Sequence, residues 1–370
     1  MSMKDTIYTF VWPAIAGLLA AVLILDRWAL QQPLLPSYTG QLVGYRQAVS
    51  RATPAVVNIY TAKLVPEQAR TRFNDPLLRR FGESGRRRAS VERSLGSGVI
   101  MTAEGHILTN NHVIAEADAI QVLLSDGRSI SAAVIGSDPE TDLAVLKIDL
   151  PNLTPIEVAD SNLIGVGDIV LAIGNPFGFG HSVSQGIVSG LGRYGLQLST
   201  YEDYIQTDAS IHQGNSGGAL IDTEGKLVGI NTLIYTSVGE AGGESSGIGI
   251  NLATPSNLAF FVMQDLIEYG RVVRGWLGVS VDLVFGLDEA GQSRQSLLIT
   301  ALAEDGPAQR AGIQAGDVII TIDGEPISDG REAMHRIARM RPGEGLSVGV
   351  VREDQMLSLN AVVGTRASVN

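Results

Sequence analysis

Short runs of β-branched and aliphatic residues, separated by Gly, Asn and Asp, recur along most of the chain. Between residues 46 and 255 they include AVVNIY (55–60), GSGVIM (96–101), LAVLKI (143–148) and DIVLAIG (168–174). Such runs are typical of the short strands of an all-β barrel or sandwich. Glycine supplies 43 of the 370 residues without a collagen-like repeat, which indicates many turns. The sequence therefore predicts a fold dominated by β-structure.

The composition excludes several kinds of chemistry. The chain contains no cysteine, which rules out disulfide scaffolds, thiol nucleophiles, Cys-zinc sites and iron–sulfur clusters. A formal net charge of −12 argues against a nucleic-acid partner. The length leaves room for two or three domains with their own cores. The candidate chemistry below calls for no metal or other cofactor, so none is expected.

The first 30 residues are predicted to form an N-terminal signal anchor. Residues 7–25 contain no charged residue, and as one helix they would span about 28 Å, close to the hydrocarbon thickness of a bilayer. No small-x-small cleavage site follows them, which favours an uncleaved transmembrane helix over a signal peptide. A buried core helix is the weaker alternative. Residues 31–45, marked by Pro and Gly, are predicted to be a linker.

The rest of the chain divides into two β-rich units joined by a helix. The first unit covers residues 46–258. A helix is predicted from Pro255 to Gly270, because Pro begins it and Gly ends it, and the domain layout gives residues 259–271 to this connecting helix. The second unit covers residues 272–366 and contains one helical segment, 329–341.

One segment of the first unit is unusual in its charge. Eight arginines lie between Arg70 and Arg93, and the segment interrupts two strand-like runs. The preferred interpretation is a solvated loop inserted in one hairpin. Contact with anionic lipid headgroups or self-cleavage is the alternative.

Ser216 is the candidate nucleophile, because it lies among glycines in the segment GNSGG (214–218). Glycines permit a tight turn whose N–H groups can face a developing oxyanion. An ordinary serine in a Gly-rich turn is the simpler alternative. The pattern also fits the α/β-hydrolase elbow, which requires Asp and then His after the serine. Only His335 follows Ser216, and it belongs to the helical segment, so the order His, Asp, Ser fits better.

His112 and Asp142 are the candidates that complete this order. His112 follows the apolar run HILTN, and Asp142 directly precedes LAVLKI, so each lies at a predicted strand end. An Asp in such a position can orient a histidine while it stays ionised. The remaining histidines before Ser216 are interpreted as strand or loop residues: His106, His181 and His212.

These motifs together resemble the HtrA/Deg family of serine proteases. The resemblance rests on LGSGVI (95–100), LTNNHVI (108–114), TDLAVLKI (141–148), IGNPFG (173–178), QTDASIHQGNSGGAL (206–220) and GIGINLATP (247–255). RGWLGV, followed by GPAQRAGIQAGDVIITIDG, resembles a PDZ domain. The resemblance implies a chymotrypsin-like double β-barrel followed by one PDZ domain. One anchor with a single PDZ domain resembles the DegS/AlgW-like subgroup.

The resemblance implies the roles of a serine endopeptidase. Ser216 would attack the peptide carbonyl, His112 would move the proton, and Asp142 would orient the imidazole. The oxyanion hole would use the N–H groups of Gly214 and Ser216, with Asn215 between them.

Two further expectations concern specificity and control. Ser210 stands where trypsin-like enzymes carry Asp, so a small apolar residue such as Val or Ala is expected before the scissile bond. Trp276, Leu277, Gly278 and Val279 resemble a PDZ loop that captures a peptide C-terminus. Residues 191–195 resemble a protease loop that responds to this binding, and Arg193 matches the activating arginine of the subgroup.

By resemblance, the chain is expected to be a single-pass protein of the bacterial inner membrane, with both domains in the periplasm. Its substrate would be a membrane-spanning anti-sigma factor in an envelope stress response. Its activators would be the C-termini of misfolded outer-membrane proteins, and it would form a homotrimer. The alternatives are a broad housekeeping protease–chaperone for unfolded envelope proteins and a catalytically silent PDZ scaffold.

Overall fold

The computed structural model describes residues 17–22, 44–66, 89–175, 180–196, 198–212, 214–235, 250–287, 293–327 and 330–365. Contacts divide the chain into Met1–Tyr45 and one compact unit, Arg46–Asn370. Of the predicted anchor, only residues 17–22 are described, and they are helical. The rest of the anchor, the predicted linker up to residue 43 and the arginine-rich segment from 67 to 88 lie outside the described residues. Within the described ranges, no helix combines the length and apolarity needed to cross a membrane.

The compact unit begins with helix α1 (Arg46–Ala52), a 3-10 turn (Thr53–Ala55) and a seven-stranded antiparallel sheet, called the first sheet here. Its strands are β1 (Val56–Pro66), β2 (Ala89–Ile100), β3 (His106–Asn110), β4 (Ala119–Leu123), β5 (Ser129–Ser131), β6 (Ala133–Asp138) and β7 (Leu143–Lys147). They lie in the order β5-β4-β1-β2-β3-β7-β6. Helix α2 (Asn111–Ile114) directly follows β3.

The first sheet lies where the first of the two predicted barrels is expected. Its edge strands β5 and β6 do not pair with each other among the described residues. They are consecutive in the chain and separated only by Ala132, whose N–H donates to the Ile120 carbonyl. The sheet therefore curls until one bent segment forms both of its edges, and covalent continuity takes the place of a closing ladder.

The next part is a closed six-stranded barrel, called the barrel here. Its strands are β8 (Ile169–Gly174), β9 (Ser182–Arg193), β10 (Tyr204–Thr207), β11 (Ala219–Ile221), β12 (Leu227–Tyr235) and β13 (Ile250–Pro255), in the order β10-β13-β12-β11-β8-β9. Fully buried Val170, Ile205 and Leu220 belong to its core. The predicted helix after the barrel is confirmed as α3 (Ser256–Tyr269), which ends at Gly270 with φ of 69° in the left-handed region.

The last part, called the C-terminal unit, is a second β-structure with its own core. Its strands are β14 (Gly275–Trp276), β15 (Val279–Leu287), β16 (Ser293–Leu302), β17 (Val318–Ile322), β18 (Glu325–Pro326), β19 (Gly345–Arg352), β20 (Gln355–Val362) and β21 (Gly364–Thr365). Its helices are α4 (Pro307–Arg310) and α5 (Gly330–Arg339), which lies within the predicted helical segment. The main sheet has the order β15-β16-β17-β19-β20, so β15 is an edge strand. Mostly β-structure is therefore confirmed for the fold.

Candidate active site

The first sheet brings His112 and Asp142 together where the neighbouring strands β3 and β7 meet their loops. Strands β3 and β7 pair with Asn110 opposite Leu143, so the residue two after β3 faces the residue just before β7. The His112 Nδ1 and Asp142 Oδ2 atoms are 2.6 Å apart, and the His112 backbone N–H donates to Asp142 Oδ1 at 2.9 Å. Because this pairing uses Nδ1, the imidazole keeps Nε2 for proton transfer.

The backbone of Asp142 is held as firmly as its carboxylate. Asp142 has φ of 56°, a left-handed conformation that Asp tolerates better than most residues. Its carbonyl accepts the Asn111 N–H at 3.0 Å and the Asn110 side-chain amide at 3.0 Å. Four hydrogen bonds from three consecutive residues, 110–112, therefore fix the Asp142 position before any substrate binds.

Ser216 lies in the loop between β10 and β11 of the barrel. Gly214 and Gly217 have φ of 95° and 82°, which favours glycine. A Cβ on Gly217 would also overlap the Ser97 carbonyl oxygen. Glycine is therefore required here both by the backbone conformation and by the close approach of strand β2.

Two N–H groups of this loop are uncommitted. The Asn215 N–H donates to the His212 carbonyl at 2.9 Å. The N–H groups of Gly214 and Ser216, in contrast, have no hydrogen-bond acceptor in the part of the chain that the structure describes. Two free donors on either side of Asn215 are what stabilisation of an oxyanion requires.

The Ser216 hydroxyl is not aligned with His112. Its Oγ donates to the Thr232 carbonyl of β12 at 2.9 Å, and among the described residues no hydrogen bond joins it to His112. The two groups are nevertheless linked through Asn110, whose side-chain amide bonds both the Asp142 carbonyl and Thr232 Oγ1. The structure thus pairs His112 with Asp142 and leaves the serine hydroxyl turned toward the barrel.

The other histidines before Ser216 have separate contacts. His106 Nδ1 lies 2.9 Å from Thr102 Oγ1, and burial lowers the pKa of its imidazole. His181 Nε2 lies 2.8 Å from the Val56 carbonyl, and His212 is exposed. Over the described ranges, no group of three or more His, Asp or Glu side chains is arranged to hold a metal ion.

A second candidate site is a groove between β15 and α5 with a volume of about 530 Å³. Its wall contains all four residues of the predicted carboxylate loop, Trp276, Leu277, Gly278 and Val279. Gly278 has φ of 80°, and the N–H groups of Leu277 and Gly278 have no acceptor within the described ranges. Free backbone donors beside an apolar cavity suit a peptide that ends in an apolar residue and a carboxylate.

The groove is lined from its other side by the barrel. Tyr194, Gly195 and residues 199–202, which connect β9 to β10, also face the cavity. This connection folds around the buried Glu202 carboxylate, which accepts the N–H groups of Leu196 at 2.7 Å and Ser199 at 3.2 Å. Because the segment after Arg193 forms part of the groove wall, an occupant of the groove would contact it directly.

The same connection is bound to helix α5 by contacts that the sequence analysis missed. His335 Nε2 lies 3.1 Å from the Glu202 carbonyl, and Arg331 Nη1 lies 2.6 Å from Asp203 Oδ1. The Arg331 guanidinium also lies 5.7 Å from the centre of the Tyr194 ring. Burial is the main cause that lowers the pKa of His335. These partners are more than 120 positions apart, so no local pattern could reveal them.

Arg193 and Arg274 make further contacts around this connection. Arg193 Nε donates to the Gln206 side-chain oxygen at 2.8 Å, within the barrel. The Arg274 guanidinium lies 4.3 Å from the centre of the Tyr201 ring. It also forms ion pairs with Asp138, the last residue of β6, and with Glu140 just after it. Arg274 is largely buried, with 10% of its side chain exposed. Arg274, just before the C-terminal unit, is thus held against the first sheet by these ion pairs.

Comparisons with known proteins agree with this architecture. A trypsin-like peptidase domain matches residues 96–230, and a PDZ domain matches residues 275–363. The serine endoprotease DegS of Escherichia coli is 39% identical over 365 residues, covering 96% of this chain and 97% of DegS. A protein of Ectopseudomonas mendocina named "Probable periplasmic serine endoprotease DegP-like" is 39% identical over 95% of this chain and 75% of its own length.

A solved structure gives the same result. The HtrA-type protease AlgW with a tripeptide superposes with a TM-score of 0.70 at 49% sequence identity, covering 88% of this chain and 98% of AlgW. In this chain the PDZ match follows the peptidase match. The chain therefore belongs to the HtrA/Deg family and is a DegS/AlgW-like serine endopeptidase with one PDZ domain.

Proposed function

We propose that this chain is a peptide-activated endoprotease in which Ser216 is the nucleophile, His112 the general base and Asp142 the residue that orients it. The observation that carries the proposal is the fixed His112–Asp142 pair beside a serine loop with two free N–H groups, with the Asn110 amide and Thr232 linking Asp142 to Ser216. The order of these residues in the chain and the trypsin-like peptidase match support the same roles.

The proposed reaction follows from these contacts. Ser216 Oγ attacks the peptide carbonyl, His112 Nε2 takes its proton and later gives it to the leaving amine, and Asp142 stabilises the imidazolium. The developing oxyanion accepts hydrogen bonds from the N–H groups of Gly214 and Ser216. Each such donor contributes about 3 kcal/mol of transition-state stabilisation in comparable enzymes.

The Ser216 hydroxyl bond to Thr232 supports a resting state before activation. Rotation of this one side chain would release the Thr232 carbonyl and bring Oγ toward His112. We propose that a peptide in the PDZ groove favours the aligned state by moving the connection from Arg193 to Glu202. Thermodynamics requires the peptide to bind the aligned state more tightly than the resting state.

The groove also supports a proposal for the activator. Free N–H groups on Leu277 and Gly278 suit a terminal carboxylate, and the apolar lining suits a large apolar last residue. The solved AlgW relative holds a tripeptide, which is consistent with peptide binding. We therefore propose that the activators are the C-termini of misfolded outer-membrane proteins.

The cellular setting is proposed from the sequence and the relatives. We propose a domain layout of a membrane anchor (1–30, span 7–25), a linker (31–45), the protease domain (46–258), a connecting helix (259–271) and the PDZ domain (272–366). The catalytic and PDZ domains would lie in the periplasm, in line with the name of the Ectopseudomonas relative. The substrate would be a membrane-spanning anti-sigma factor, the assembly a homotrimer, and a small apolar residue would precede the cleaved bond.

Cleavage of a quenched fluorescent casein by the full-length protein in detergent tests this proposal. A decapeptide ending in Phe with a free carboxylate should raise the cleavage rate at least tenfold. The same decapeptide with a C-terminal amide is the matched control and should not. Ser216→Ala should abolish cleavage under both conditions. Full cleavage without any peptide would contradict the activation, and cleavage by Ser216→Ala would contradict the nucleophile.

A further inference from the structure

Ser97 of strand β2 lies directly under the nucleophile loop, although neither proton transfer nor attack uses it. Its side chain is fully buried. Its Oγ donates to the Gly214 carbonyl at 2.7 Å and accepts the Asn175 backbone N–H at 3.0 Å. One hydroxyl on the first sheet therefore bridges two separate segments of the barrel.

The direction of these two bonds is unambiguous. A carbonyl oxygen can only accept, and a backbone N–H can only donate. The Ser97 hydroxyl oxygen therefore accepts the Asn175 N–H, and the hydroxyl hydrogen donates to the Gly214 carbonyl. The hydroxyl thus donates one bond and accepts one, which fixes its orientation within a buried region, where an unmade hydrogen bond is costly.

The backbone of Ser97 supports the same loop at neighbouring points. Its N–H donates to the Ser216 carbonyl at 2.9 Å. Its carbonyl accepts the Thr109 hydroxyl at 2.8 Å and lies against Gly217, where a Cβ would overlap it. Residues 214, 216 and 217 are therefore all seated on this one residue of strand β2.

The side-chain bond acts on the residue that supplies a proposed oxyanion donor. Gly214 has no side chain to restrain it, and its φ of 95° lies in a region that glycine enters and leaves easily. The Ser97 hydroxyl holds the carbonyl of the peptide plane that follows Gly214, and the Asn215 N–H of the same plane donates to the His212 carbonyl. With this plane held at both ends, the direction of the free Gly214 N–H depends only on the two backbone rotations of Gly214 itself. Removing the hydroxyl loosens the carbonyl end of the plane, and so the reference for these rotations, without removing the donor.

We infer that Ser97 is a positioning residue that sets the geometry of the oxyanion hole through the Gly214 carbonyl. The inference rests on the proposed roles of Ser216 and of the Gly214 N–H. The hydroxyl acts on the transition state through the loop and does not touch the substrate. Its loss therefore affects the chemical step more than substrate binding.

The test compares Ser97→Ala with Ser256→Ala in the full-length protein, activated by the Phe-ended decapeptide. Ser256 is also buried, and its hydroxyl donates to the Ala159 carbonyl at 2.7 Å, far from the site along the chain. Both variants lose one buried serine-to-carbonyl bond. Ser97→Ala should lower kcat by about 10- to 100-fold with KM nearly unchanged, because loss of a whole oxyanion donor costs about 100- to 1,000-fold. Ser256→Ala should keep kcat.

A peptidyl boronate, which forms a tetrahedral adduct with the serine, gives a second measurement. Its affinity should fall by the same factor as kcat in Ser97→Ala and stay unchanged in Ser256→Ala. Ser97→Cys replaces the hydroxyl with a somewhat larger thiol, which fills the space that Ser97→Ala leaves empty but is only a weak donor, so it should lower kcat as well.

The outcomes separate this inference from the proposed function. An unchanged kcat in Ser97→Cys and in any folded Ser97→Ala, a rise in KM alone, or an equal loss of kcat in Ser256→Ala would overturn the positioning role. Turnover retained by Ser216→Ala would instead overturn the proposed function. A dead Ser216→Ala with a fully active Ser97→Ala would leave the proposed function intact and reject only the role of Ser97.

Discussion

The first sheet and the barrel differ in how their catalytic side chains are placed: those on the first sheet are already paired, and the serine on the barrel is not aligned with them. On the first sheet, Asp142 receives four hydrogen bonds from residues 110–112, and its carboxylate already holds His112. On the barrel, the Ser216 hydroxyl is bonded to the Thr232 carbonyl and is turned away from His112. The difference indicates that control of activity needs to act only on the barrel side.

The location of the PDZ groove agrees with this division. Its wall includes the connection between β9 and β10, which belongs to the barrel and not to the first sheet. Glu202 folds this connection, while Asp203 and the Glu202 carbonyl bind helix α5. A ligand in the groove can therefore reach the serine side of the site through the barrel, while the same connection meets the first sheet at Glu140, whose carbonyl accepts the Tyr201 N–H at 2.9 Å.

The largest expected effect comes from disrupting the His112–Asp142 pair on the first sheet. Asp142→Asn should lower kcat by about 10,000-fold, because an amide holds the imidazole in the wrong tautomer. Because the proposed switch acts on the serine side, the ratio of rates with and without peptide should stay the same. Casein cleavage at high enzyme concentration measures both numbers. A changed activation ratio would show that the two halves switch together.

A smaller effect is expected from loosening the contact between helix α5 and the barrel. Arg331→Ala removes a partly buried ion pair with Asp203 and the contact with Tyr194. The cleavage rate without peptide should rise about fivefold, the equivalent of about 1 kcal/mol. Arg336→Ala is the matched control, because Arg336 lies on the same helix but pairs with the exposed Glu325. Equal effects of the two variants would show that the contact between Arg331 and the barrel does not control activation.

The smallest expected effect is a pH dependence of peptide binding. Burial lowers the pKa of His335 below its ordinary value of 6.5, although the hydrogen bond to the Glu202 carbonyl opposes this shift. The packing of the buried neutral ring against the connection is therefore fully stable above about pH 6.5 and is destabilised as the pH falls toward the folded pKa, because the ring must take a charge where it is buried. Loosening this packing should favour the peptide-bound state. The charged and aromatic groups that act on His335 or lie against it are Asp203, Arg331, Arg339 and Tyr201.

Fluorescence anisotropy of a labelled peptide measures this dependence without catalysis. The Kd should tighten about two- to threefold between pH 7.5 and pH 5.5. In His335→Gln, which keeps a donor for the Glu202 carbonyl but does not titrate, this tightening should disappear. An identical pH response in both proteins would assign the effect to other groups.

Strand ends and chain order were enough to find the main candidates from the sequence. His112 and Asp142 each adjoin an apolar run, and runs of this kind became β3 and β7 of one sheet. Helix α3 was predicted because Pro255 and Gly270 act on the backbone locally. Features that depend on residues close together in the chain could therefore be predicted from the sequence.

Features that depend on contacts between residues far apart in the chain could not be predicted in this way. Whether the first sheet closes depends on a bend at Ala132, and the direction of the Ser216 hydroxyl depends on a carbonyl of β12. The bond between His335 and Glu202 joins residues 133 positions apart. Ser97 belongs to the motif GSGVIM, but its contacts depend on the loop that folds over it, which the motif does not contain.

The central claim is that the serine side of the site is unready until peptide binds. Labelling of the full-length protein by a fluorophosphonate tests it most directly, because the reagent reacts with an activated serine without requiring a peptide substrate. We expect the Phe-ended decapeptide to accelerate labelling of Ser216 at least tenfold, its C-terminal amide to have no effect, and Ser216→Ala to remain unlabelled. Equally fast labelling with and without the peptide would contradict the claim.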